Sequence, residues 1–303
     1  MSVIIDSERG RKAADLLFNA FSTTGIHGRT DMPEDVLPAA ATRGSLEHIL
    51  FITLTVCIDY QRDAAALWES SRHTFGDPAT RYLFDPRALH ETTLSTIVRD
   101  MQKYGLSKKP QQDAYIWSTV GISFYKKWQG DPRNFLENYK WGALRVLEHL
   151  KNDIHPLNER QVTDFPFLRG DKIGPLWLRM LRDNAGITKI QDLDRVPIPV
   201  DIHIGRATLA LGVVRGQYSG GFGNLFETIR KAWFESVRGL QVGERPMMAL
   251  DVDEPLWHLS RFGCTYRDKQ SGVCPLIQSC EAKSLCIKGK VDIHNGSTIE
   301  LYT

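Results

Sequence analysis

Apolar residues recur along most of this chain at the three-to-four-residue spacing of an amphipathic helix, and period-two alternation is scarce. Ala13, Leu16, Leu17 and Phe21 mark a helix over 8–22. Residues 45–72 read as a long apolar helix that passes into a second, Gln61 to Arg72, with Ala64, Ala65, Leu67 and Trp68 turned inward. The same periodicity predicts helices over 88–104, 111–128, 132–150, 172–183, 202–214, 223–238 and 253–261. Turn signals punctuate them: Gly76-Asp77-Pro78, Gly105, Lys109-Pro110, Gly130-Asp131-Pro132, Asn184-Ala185-Gly186 and Gly220-Gly221-Phe222-Gly223. The predicted fold class is all-α. The longest apolar run, Ile49 to Ile58, is interrupted by Thr53 and Thr55 and falls far short of the roughly 20 residues a membrane helix needs. It predicts a buried helix carrying Cys57 as an ordinary buried thiol. No fixed-period repeat and no Pro/Gly-rich linker marks a domain boundary.

Composition adds little to this picture except by exclusion. With 303 residues, 42% hydrophobic and 24% charged, the chain can bury one large or two small cores, which argues against disorder. The formal net charge of +2 argues against histone-like binding but allows basic residues to gather on one face. The start of the chain lacks a basic segment followed by an apolar one and a small-residue cleavage site, so an intracellular, cytoplasmic protein is expected, with no membrane partner.

The cysteines change the picture more. Four of the five, Cys264, Cys274, Cys280 and Cys286, fall in the last 40 residues. In a reducing compartment such a cluster points to metal ligation rather than disulfides. The intervals of nine, five and five residues contain no close Cys-x-x-Cys pair of the kind most structural zinc sites use, so an iron–sulfur cluster fits better, with zinc as the alternative. The surrounding Arg267, Asp268, Lys269, Gln270, Gln278 and Lys283 are too polar for a core. Over 264–290 the basic residues exceed the acidic ones by three, which suits an anionic partner.

Two further segments carry chemistry. Phe165-Pro-Phe-Leu-Arg169-Gly170-Asp171-Lys172-Ile-Gly174 reads as a short helix, a glycine turn and a second helix starting near Lys172, a geometry that offers backbone N–H groups to phosphate. In Pro199-Val200-Asp201-Ile202-His203, Asp201 follows a proline-stiffened stretch and caps a new helix. Alone, each has an ordinary explanation: a capping carboxylate and a solvated lysine.

Together with the cysteine loop, these segments resemble the helix-hairpin-helix DNA glycosylase superfamily, the group that includes endonuclease III, the mismatch adenine glycosylases and the 8-oxoguanine glycosylases. The resemblance runs from about Ser45 to Cys286. Phe167-Leu-Arg-Gly-Asp-Lys172-Ile-Gly matches in part the family hairpin Leu-Pro-Gly-Val-Gly-x-Lys-x-Ala, and Pro199-Val-Asp201-Ile-His203 matches Pro-Val-Asp-x-His. Glu47 to Val56 and Ile97 to Ala114 look like the family's first barrel helix and the loop before its next helix. The cysteine intervals depart from the usual Cys-x6-Cys-x2-Cys-x5-Cys in all but the last, and the hairpin lacks the first Pro-Gly.

The resemblance implies a two-lobed helix-hairpin-helix fold, with one lobe over 46–184 and the other formed by 1–45 and 185–303. It implies a DNA-repair N-glycosylase, bifunctional with lyase activity, monomeric and acting on double-stranded DNA that holds a damaged or modified base. Lys172 would be the nucleophile and Asp201 its electrostatic and general-base partner. Attack requires the ammonium to lose its proton, which desolvation and the helix N-terminus would favour. Arg169, Gly170, Gly174, His203, Lys269 and Lys283 would contact DNA, and the four cysteines would hold a [4Fe-4S] cluster. Trp177 and the segment His27 to Asp31 are candidates for base selection. The rival readings are an N-glycosidase for a modified nucleotide or nucleoside on the same scaffold, and a non-catalytic iron–sulfur DNA-binding protein.

Overall fold

The computed structural model describes residues 2–157 and 160–303. In chain order the helices among them are α1 (Ser7–Thr23), α2 (Leu46–Cys57), α3 (Ala64–Gly76), α4 (Pro86–Glu91), α5 (Leu94–Gln102) and α6 (Pro110–Trp128). There follow α7 (Pro132–Asn138), α8 (Ala143–Asn152), α9 (Ile173–Asp183), α10 (Ile202–Ala210), α11 (Phe226–Val237) and α12 (Asp253–Phe262). The strands are β1 (Ser2–Ile5), β2 (Ile154–Leu157), β3 (Arg160–Thr163), β4 (Val214–Gly221), β5 (Gln241–Val242), β6 (Arg245–Pro246), β7 (Lys290–His294) and β8 (Thr298–Tyr302). Met32–Leu193 forms one compact unit, and the residues up to Asp31 together with Asp194–Thr303 form the other.

The unit Met32–Leu193 is built around α2. Ser45 starts this helix by accepting from the His48 N–H, and every residue from His48 to Cys57 is buried. Phe51 packs on Trp68, Phe75 and Phe84, each 5.6 Å away between ring centroids. A helix buried all round must satisfy its polar side chains from within the protein. Thr53 donates to the Ile49 carbonyl and accepts from the Trp177 indole N–H on α9; Thr55 bonds Ser71 on α3. Trp177, a candidate for base selection, is therefore a fully buried core residue whose one donor is taken. A second fully buried contact, the ion pair of Arg179 with Glu34, straps the short turn Pro33–Asp35 to α9.

In the other unit, Asp6 caps α1 by accepting from the Arg9 N–H at 3.0 Å. At Gly10 a Cβ would come within 1.9 Å of Ser236 Oγ, so α1 and α11 meet there at glycine distance. A four-stranded antiparallel sheet in the order β1-β4-β8-β7 adjoins these helices. Val214, Val291, Ile293, Ile299 and Leu301 join its buried face to the helical core.

The expected helices are present, with differences that have local causes. The stretch 88–104 is two helices, because Thr93 caps a new one. The stretch 132–150 breaks where Lys140 and Trp141 take φ of 55° and 56°. Helix α10 stops at Ala210 and the chain goes on into β4, where a helix was expected to 214. The short helix expected before Lys172 is a run of turns, preceded by the hairpin of β2 and β3. The sheet was not anticipated at all, although the fold remains predominantly helical.

Two buried histidines make stability depend on pH. Burial lowers His48 from 6.5 to about 4. It does the same for His258, which lies among Phe21, Trp257 and Phe262 with neither ring nitrogen bonded among the described residues. Between these values the unfolded chain binds the protons that the folded one refuses, so stability falls as the pH drops from 6.5 towards 4, by on the order of 2–3 kcal/mol per histidine. His258→Phe removes an unsatisfied buried imidazole while keeping the aromatic packing. It should leave Tm unchanged or higher at pH 7 and shallow the loss of Tm over that window, as followed by thermal melts across pH.

Candidate active site

Lys172 stands at the start of α9, at the end of the glycine turn. The turn is closed by its own backbone: Arg169 N–H donates to Phe165 O, Gly170 N–H to Phe167 O at 2.8 Å, and Gly174 N–H to Gly170 O at 2.9 Å. The amides of Gly170 and Gly174, expected to face phosphate, are thus engaged inside the hairpin. Gly174 serves close packing, since a Cβ there would meet Leu147 Cδ2 at 2.8 Å. Arg169 is exposed on the turn.

The Lys172 amine reaches away from its own helix to the end of α2. Nζ donates to the backbone carbonyl and to Oδ2 of Asp59, both at 3.3 Å. Asp59 is 7% exposed. A carboxylate partner and the carbonyl end of a helix both favour the ammonium form, so attack on a substrate requires these contacts to be given up. Asp59 was missed from sequence, yet a signal was there. An acid two residues past the end of a largely apolar helix sits where the helix dipole disfavours a negative charge, and it therefore needs a cation.

Asp201 caps α10: its Oδ1 accepts from the N–H groups of His203 at 2.8 Å and Ile204 at 3.0 Å. Ile198 and Val200 are buried and anchor the extended approach. The carboxylate is partly exposed on a fixed backbone, which suits a group that must present negative charge at a set position. His203 is tied inward, with Nδ1 3.2 Å from Ser260 Oγ on α12. One turn along α10, Arg206 donates to the same hydroxyl at 3.3 Å. Burial lowers its guanidinium below the usual range, and Cys264 and Asp201 pull it back. Arg206 therefore stands within electrostatic reach of both Asp201 and the cysteine loop.

The four cysteines form no disulfide. Their thiols act on one another: burial first, then Cys280, Cys286 and Cys274, push Cys264 up, and burial pushes Cys280 to about 11. Such mutually disfavoured thiolates are stabilised by a cationic centre. Arg267, one of the residues expected to be too polar for a core, is buried at 7% exposure. It donates to the carbonyls of Gly272 at 2.9 Å, Ile287 at 2.8 Å and Gly289 at 3.2 Å, and to Cys286 Sγ at 2.9 Å. Arg9 of α1 donates to the carbonyls of Leu211 and Leu285 and so pins the far side of the loop. A second donor set adjoins it: His27, Cys280 and Glu281 each bring a ligand atom within 4.8 Å of the others.

The charge excess of this segment is largely met nearby. Lys269 pairs with Asp292 at 2.8 Å, and Lys290 pairs with Glu300. Lys283 and Lys288 are exposed.

No protein-family model matches the chain, and neither does any curated protein sequence. Among the described residues, no helix is long and apolar enough to cross a membrane. The chain is similar to two solved structures, a trapped endonuclease III–DNA covalent intermediate in an estranged-adenine complex and a non-covalent endonuclease III–DNA complex. The first is 13% identical, with a TM-score of 0.51 over 93% of this chain and 99% of that one. The second is 14% identical, with a TM-score of 0.51 over 94% of this chain and 97% of that one. The likeness is one of fold, and it is the predominantly helical helix-hairpin-helix fold that the sequence led us to expect.

Proposed function

We propose that this protein is a DNA N-glycosylase with an associated lyase activity, acting on a damaged or modified base. The observation that carries the reading is Lys172 at the start of the helix after the glycine turn, in a chain whose fold is that of endonuclease III–DNA complexes over nearly its full length. Excision requires the nucleotide to leave the base stack, at a cost of a few kcal/mol. As the bond from C1′ to the base breaks, the base leaves with the electron pair and positive charge grows on the sugar. Asp201 stabilises that charge and serves as general base. The Lys172 amine, once free of Asp59 and its proton, forms the new bond to C1′. The sugar ring then opens as the C1′–O4′ bond breaks and O4′ takes a proton, which leaves a Schiff base at C1′; this acidifies the neighbouring C2′ proton, whose loss drives β-elimination of the 3′ phosphate.

The cysteine quartet fits a cluster held by four thiolates. What favours iron over zinc is the spacing along the chain, nine, five and five residues between cysteines, with no close Cys-x-x-Cys pair. A [4Fe-4S] group would be held by Cys264, Cys274, Cys280 and Cys286, with Arg267 bonded to Cys286 and set to offset its negative charge; its part would be to shape and position the loop.

Lys172→Gln and Lys172→Arg should both abolish strand nicking and the borohydride-trapped adduct on duplexes carrying a panel of damaged bases. Arginine keeps the charge but not the amine, so a pure DNA binder would tolerate it. Asp201→Asn should lose base removal by a hundredfold or more, on the scale of about 10² to 10³ for a lost electrostatic group, with DNA binding retained. Normal nicking by the Lys172 variants refutes the assignment, and activity confined to free nucleotides replaces it with the nucleoside reading.

Protein purified without oxygen should be brown and contain about four iron atoms per chain. Stoichiometric zinc without iron would overturn the cluster.

Binding should weaken with salt at a log–log slope of roughly −0.9 per phosphate neutralised. Lys283→Glu should flatten that slope more than Lys269→Glu, because Lys269 already faces Asp292. Neither should change which base is removed, since phosphate contacts position the protein while the pocket selects. A wild-type slope in a variant carrying both Lys269→Glu and Lys283→Glu argues against the loop as a DNA contact.

A further inference from the structure

Phe167 occupies the turn before α9 with φ of 63°, a left-handed backbone that a residue with a Cβ adopts at a cost. Burial does not compensate: the side chain is 36% exposed, while Phe165 and Leu168 on either side are fully buried. The ring instead stacks on Tyr60, with centroids 4.4 Å apart and planes at 28°.

Tyr60 is itself held firmly. Its hydroxyl donates to Asp113, and that buried carboxylate also accepts from the Ser107 hydroxyl and the N–H groups of Lys108 and Lys109, each at 2.9 Å. Lys109 Nζ lies 5.0 Å from the Tyr60 ring centroid and donates to Gln61 Oε1 at 2.9 Å. Gln61, like Phe167, takes a left-handed backbone, at φ of 51°. Tyr60 directly follows Asp59, the partner of the Lys172 amine. Lys108, Lys109 and Arg169 are exposed around the stack. A strained backbone that holds a half-exposed aromatic ring beside a reactive amine, among exposed cations, is costly for packing and useful for contact.

We propose that the stacked pair Tyr60–Phe167 is a platform for one unstacked nucleobase of the DNA, the base that loses its neighbour when the target nucleotide rotates towards Lys172. This rests on the glycosylase reading and adds to it a specific contact. Every base offers a π-face to an aromatic ring, so the contact needs no sequence. Lys108, Lys109 and Arg169 supply charge for the flanking phosphates. The platform also gives the hairpin tip a function: its Gly170 and Gly174 amides are turned inward, and an aromatic side chain stands where the sequence lacks the Pro-Gly of the usual turn.

The test uses the full-length protein and duplexes with a single bulged 2-aminopurine, beside an intact duplex as control. Wild type should quench the probe. Phe167→Ala should lose the quench and bind the bulged duplex about tenfold more weakly, with affinity for the intact duplex little changed. Phe167→Gly should bind like the alanine variant yet melt at or above the wild-type Tm, because glycine relieves the left-handed backbone. Tyr60→Phe keeps the ring, gives up the bond to Asp113, and should retain the quench. Wild-type quench and affinity in both Phe167 variants would overturn the platform. So would a fall in Tm matching the loss of binding, which would make Phe167 a packing residue. A wild-type protein that neither binds nor nicks damaged duplexes refutes the glycosylase reading instead, and the two failures are thus distinct.

Discussion

Helix α2 is buried on every side from His48 to Cys57, and the need to satisfy its few polar groups without water fixes the position of Lys172. Thr53 takes the Trp177 indole, Thr55 takes Ser71, and Asp59 at the helix end takes Lys172. Two of these three contacts come from α9. An unsatisfied buried donor or acceptor costs about 1–3 kcal/mol, so both anchors resist any sliding of α9 along α2. The buried Arg179–Glu34 pair adds a third restraint: leaving either charge alone there would cost about 3–5 kcal/mol. The stretch of sequence that looks most like plain core is thus what sets the place of the amine.

The cysteine loop follows a different logic. Between Cys264 and Cys286 the chain forms only two short single turns of helix, so few ladder bonds hold it. Arg267 makes four contacts, to residues from Gly272 to Gly289, and converts an irregular segment into a cross-linked one. Its guanidinium meets three carbonyls and a sulfur, all partially negative, which is how a buried cation avoids an uncompensated charge. These cross-links hold an otherwise irregular segment, with Cys286 among the groups they touch, on one frame.

Much of this was legible in the sequence, because long helices advertise themselves by period. Their interruptions do not: Lys140 and Trp141 take left-handed backbones without glycine, and nothing in those residue types announces it. The sheet was obscured by composition. Gly216, Gly220 and Gly221 make β4 resemble a loop, and β1 is four residues long. Strands β7 and β8 were readable in principle, for Asn295-Gly296 is a strong hairpin signal and Thr298 to Tyr302 alternates exposed and buried. Lys172 and Asp201 were accessible through motifs. Asp59 had only the weaker signal of an acid just past an apolar helix, its partner lying far along the chain, and Arg267 had none, because its burial is concealed by polar neighbours.

The groups assigned to chemistry share one feature: each is held by backbone geometry at a helix boundary. Lys172 opens α9 and meets the end of α2; Asp201 caps α10. A helix boundary leaves backbone N–H or C=O groups without helical partners, so it offers directional polarity that the helix interior lacks. It is also where a side chain can be half exposed without loosening a core. That explains why the strained residues Gln61 and Phe167 are found at such boundaries too, one in the turn after α2 and one in the turn before α9. Strain at these positions is tolerated because the helices they join are over-determined by buried contacts. The stability invested in α2 and α9 is what permits an unfavourable backbone, and an exposed aromatic ring, next to the amine.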